Sequence, residues 1–122
     1  MKTQMMIDAV CDEIKQNLNA FCEHADFEHL TPEVAEQMSQ AFGEALAAGG
    51  VAGYRTFLEQ YECEADTIVR GEQTLRVKMV SEKVFMTPFG KMTLNRKVYQ
   101  ADRGGQCHVP LDAAWGMEQQ FA

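Results

Sequence analysis

Between Met5 and Ala25 the apolar residues return every three or four positions, as Ile7, Cys11, Ile14, Leu18 and Phe21, with Val10 and Cys22 widening the row. That period places them on one stripe of an amphipathic helix with a heptad-like seam. The stripe either packs within its own domain or serves as a self-association face for a homodimer. A run of about three heptads is short for a coiled coil by itself.

After a polar break at His24, Asp26, Glu28 and His29, a second helix is announced by Thr31-Pro32-Glu33. Threonine suits the N-cap, proline the first helical position, and an acid the positive end of the dipole. Val34, Met38, Ala41, Phe42, Ala45 and Leu46 form its expected buried face, and Gly49-Gly50 its expected end. A third, shorter helix is expected from Val51 to about Glu62, with Tyr54, Phe57, Leu58 and Tyr61 along one side. At this spacing aromatic residues are core packing rather than a base-stacking row. Gly53 early in this segment suggests close approach of another backbone, or merely a weak first turn. Two helices joined by Gly-Gly resemble a helix-turn-helix in outline, but the second is not basic, since Arg55 stands among Glu59, Glu62 and Glu64.

From Leu75 to Ala101 the period changes to two, centred on Thr87-Pro88-Phe89-Gly90. Pro88 presets the first turn dihedral and Gly90 accepts a left-handed one, which predicts a type I turn closed by a glycine bulge. With Thr87 facing Lys91, Met86 meets Met92, Val84 meets Leu94, Glu82 meets Arg96 and Val80 meets Val98. Three apolar pairs and one ion pair then share a face. Phe85, Lys83, Lys91, Lys97 and Tyr99 fall on the other. Thr67 to Arg70 is a short additional strand, and two long strands need helices over one face to be stable. Beyond Tyr99, Gly104-Gly105 permits a reversal, and Asp112 caps a final helix from Ala113 to about Gln120 anchored by Trp115. The expected class is α+β: about three N-terminal helices packed on a long antiparallel hairpin (strands about 75–87 and 91–101), with a short C-terminal helix.

Composition adds one important feature. The net charge of −7 is divided, with −10 over residues 1–66 and +5 over residues 67–103. The three parts, acidic helices to 66, basic hairpin to 103 and a C-terminal remainder to 122, are read as a single domain. The start, Met1-Lys2-Thr3-Gln4, lacks the apolar stretch of a signal peptide, and no run approaches a membrane span. A cytoplasmic location with reduced Cys11, Cys22, Cys63 and Cys107 is the expectation. No cofactor is indicated. Cys22 with the following His and acidic residues fits no metal-ligand spacing. Cys107-His108 lacks an orienting third group, and neighbours in an extended segment point apart, so no nucleophile is assigned.

Thr87-Pro88-Phe89-Gly90, Arg96, Tyr99, Gly104-Gly105, Pro110-Leu111-Asp112 and Trp115-Gly116 together resemble the N-terminal region of bacterial insertion-sequence transposases of the Kra type. The resemblance covers about the last two-thirds of the chain. It implies an RNase-H-like catalytic domain downstream, so no catalytic residues are expected here. Where relatives place zinc-ribbon cysteines after the tyrosine, this chain has Ala101, Arg103 and Gly104, and no metal is expected. The resemblance implies DNA as partner, held through the basic hairpin by Lys78, Lys83, Lys91, Lys97 and Arg103, because a two-stranded ribbon fits a groove and cations meet phosphates. The alternative is an oligomerisation or protein-interaction module whose self-association face is Ile7, Cys11, Ile14, Leu18 and Phe21.

Overall fold

The computed structural model describes residues 2–117. The elements run α1 (Lys2–Cys22), α2 (Pro32–Glu59), β1 (Thr67–Arg70), β2 (Gln73–Thr87), β3 (Gly90–Ala101), β4 (Gly104–His108) and α3 (Pro110–Ala114). The class is α+β, with one four-stranded sheet in the order β1-β2-β3-β4. None of the described helices is long and apolar enough to cross a membrane.

The chain separates into two compact units. One contains residues 1–57 with the hairpin tip Met86–Met92, the other Leu58–Phe85 with Thr93–Ala122. The division does not follow charge, because the tip of the basic hairpin belongs with the acidic helices.

In the helical unit, Thr31 caps α2 as expected: its Oγ1 accepts the Val34 N–H at 3.2 Å, and its carbonyl accepts the Ala35 N–H. Asp26 organises the preceding loop by accepting the N–H groups of Glu28 and His29. The expected break at Gly49-Gly50 does not occur. A single helix runs to Glu59, so two N-terminal helices stand where three were expected. The glycines serve contact rather than termination. A Cβ on Gly49 would lie 2.8 Å from Ile14 Cγ1, one on Gly53 2.5 Å from Val10 Cγ2, and one on Gly50 would collide with the Phe89 ring. Gly49 and Gly53 let α1 lie close to α2, Gly50 makes room for Phe89, and closeness of packing outweighs the helix-propensity cost of glycine.

The face assigned to α2 from its periodicity is therefore corrected. Ala45 is buried, but Met38, Phe42 and Leu46 are exposed.

In the sheet unit, β1 pairs with β2 through Thr67↔Arg76, Ile68↔Leu75, Val69↔Thr74 and Arg70↔Gln73. The fourth strand, β4, replaces the simple reversal expected at Gly104-Gly105. It pairs with β3 at Tyr99↔His108 and Ala101↔Gly104, with a bulge between. Gly104 (φ 89°) and Gly105 (φ 97°) adopt positive dihedrals that favour glycine.

The hairpin forms, but in a register other than Thr87 opposite Lys91. Its turn is Pro88-Phe89, flanked directly by Thr87 and Gly90, and Thr87 Oγ1 accepts the Phe89 N–H at 3.1 Å. Burial alternates on odd positions in β2 (Leu75, Phe85) and even positions in β3 (Met92, Leu94, Arg96, Val98). The expected partners Val80, Val84 and Met86 are exposed. A shift of one residue exchanges faces. Both strands carry apolar residues at even positions, so pairing even with even also matches apolar side chains.

The C-terminal helix α3 begins at Pro110 rather than Ala113. Val109 occupies the N-cap with no side-chain cap, so Asp112 is not the cap. The helix ends at Ala114, short of the expected run to about Gln120, of which residues 118–120 lie outside the described residues.

Candidate functional site

The most chemically demanding cluster lies in the sheet unit. Arg96, in the apolar row of β3, and Asp112, in the first turn of α3, are both fully buried, and Arg96 Nε donates to Asp112 Oδ1 at 3.0 Å. The partner of Arg96 is thus Asp112, not Glu82. Its guanidinium also lies 5.7 Å from the Phe85 ring centroid, and Phe85 meets Trp115 edge-on at 5.0 Å. An arginine amid Met92, Leu94 and Val98 requires a buried carboxylate. That signal was available in the strand pattern; which acid answers it was not. Asp112 Oδ2 has no hydrogen-bond partner among the described residues.

A second cluster surrounds Tyr99. Its hydroxyl donates to the Ala65 carbonyl, while Glu62 accepts the N–H groups of Lys97 and Cys63 through its two carboxylate oxygens, each at 2.9 Å. Burial, reinforced by the Cys63 side chain and by the nearby Glu62 and Asp66 charges, pushes the Tyr99 phenol well above its ordinary value. These bonds tie the acidic linker to β3. They offer no open site for a substrate.

The five cations of the expected DNA face are divided between the two units, and within the sheet unit they fall on both faces of the hairpin. Lys91 belongs to the helical unit, and Lys78, Lys83, Lys97 and Arg103 to the sheet unit. Within the sheet unit Lys83 lies over Phe85, 5.4 Å from its centroid, on the face that also bears Arg96. Strand alternation puts Lys78 and Lys97 on the other face. Lys78 and Arg103 are exposed, and Lys97 is half-buried. Arg76 pairs with Asp102 at 3.2 Å across exposed surface. The expectation that Lys83, Lys91 and Lys97 share a face with both Phe85 and Tyr99 is therefore revised.

The helical unit has a different character. Of the expected self-association row, Ile14, Leu18 and Phe21 are half-buried, with Ile14 packed at Gly49 of α2. Ile7 and Cys11 remain exposed. They help line an apolar groove of about 570 Å³ together with Tyr54, Phe57 and Phe89. None of the residues of α1 is buried. Farther along α2, Met38, Phe42 and Leu46 repeat at intervals of four and are exposed by 36%, 48% and 59%. Periodicity identified this row as apolar. It could not say that the alanine and glycine face beside it would take the intrachain contact.

Among the described residues no three His, Cys, Asp or Glu side chains come together as a metal-binding group. Comparison of the chain with protein-family models, with curated proteins and with solved structures finds no match.

Proposed function

We propose that the chain is a non-catalytic assembly module that self-associates through its helical unit. The observation that carries this reading is the apolar surface left uncovered on the two helices, Met38, Phe42 and Leu46 on α2 and Ile7 on α1, where α1 has no buried residue and α2 buries mainly small ones. An amphipathic helix pair is stable when its apolar faces are covered, and a second helical layer is the usual solution. In the transposase setting that the sequence resembles, such a module would bring copies together ahead of a downstream catalytic domain. Sedimentation of the full chain from micromolar to hundreds of micromolar concentration tests the proposal. A reversible increase in mass is expected, and a single-chain mass throughout would overturn it.

A second reading, DNA contact by the sheet unit, is favoured by one observation. Lys78 and Lys97 occupy the same face of the hairpin, with Arg103 in the β3–β4 turn of the same unit. Phosphate contact by these residues would be weak, salt-sensitive and independent of sequence.

A further inference from the structure

We draw no further inference here: the strongest candidate, the apolar groove of the helical unit lined by Ile7, Cys11, Tyr54, Phe57 and Phe89, carries none because nothing in the structure shows what covers it.

Discussion

Removing the carboxylate of Asp112 by Asp112→Ala should destabilise the sheet unit severely. Arg96 and Asp112 are each 0% exposed, so their 3.0 Å bond is shielded from solvent. Deleting one member of a buried pair leaves the other charge desolvated, at a cost of about 3–5 kcal/mol. Small domains have only about 5–15 kcal/mol in total. At about 4–8 °C per kcal/mol for a unit of this size, the midpoint should fall by more than ~12 °C. The two single changes, however, should not add. Arg96→Met with Asp112→Leu removes both charges and fills the volume with apolar atoms, and it should lie within about 1 kcal/mol of the natural chain or above it.

The assay is urea unfolding followed by fluorescence of Trp115, the only tryptophan. Its ring meets Phe85 at 5.0 Å, within the same unit as the pair, so the signal reports the affected structure. A cost for Asp112→Ala below about 1 kcal/mol would refute the reasoning, since it would mean that Arg96 finds solvent or another acid. A double variant as unstable as the single would refute it equally, by showing that the pair's geometry rather than its charge is what the unit needs.

Alkaline pH should act through Tyr99. Its folded pKa is raised, so the stability it contributes is complete below the unfolded tyrosine value of about 10 and is lost as pH rises above it. Relative to Tyr99→Phe, the natural chain should lose up to about 1.4 kcal/mol per pH unit there; parallel alkaline limbs in urea titrations would contradict this. Gly49→Ala should destabilise the helical unit by about 1–3 kcal/mol despite better helix propensity, because its Cβ would press on Ile14. Helical circular dichroism during thermal unfolding checks this, and a gain in midpoint would exclude close α1–α2 contact at that point. For the DNA reading, labelled duplex at low salt should bind in the millimolar to micromolar range and lose affinity in Lys78→Ala with Lys97→Ala. Unchanged binding in that variant, or none at low salt, would remove the reading.

Much of the architecture was legible in the order of residues, for local reasons. Thr31-Pro32-Glu33 fixes a helix start by its own hydrogen bonds, and Pro88 with Gly90 confines the hairpin turn to four residues. What failed depended on partners distant in sequence. Gly49-Gly50 reads equally as a helix end or as a surface for close packing, and only Ile14, Val10 and Phe89 decide between them. The hairpin register turned on a single residue, because Val80, Val84 and Met86 are as apolar as the positions actually buried. That one-residue change also separated Lys83 from Lys97, and with it the proposed cationic face. Arg96 needed an acid, but Glu82 in the neighbouring strand and Asp112, 16 residues on, were equivalent until α3 was placed. On α2 both a large-residue row and a small-residue row satisfied helical periodicity. Small residues take α1, and the large row stays exposed.

The most direct measurement of the proposed self-association is the mass of the full chain in solution by light scattering, at low and high concentration, beside Phe42→Lys. Assembly through the α2 row predicts twice the chain mass at high concentration for the natural sequence, and the single-chain mass for the variant with its helical spectrum retained. One chain per particle at every concentration, or a doubled mass that persists in Phe42→Lys, would contradict it.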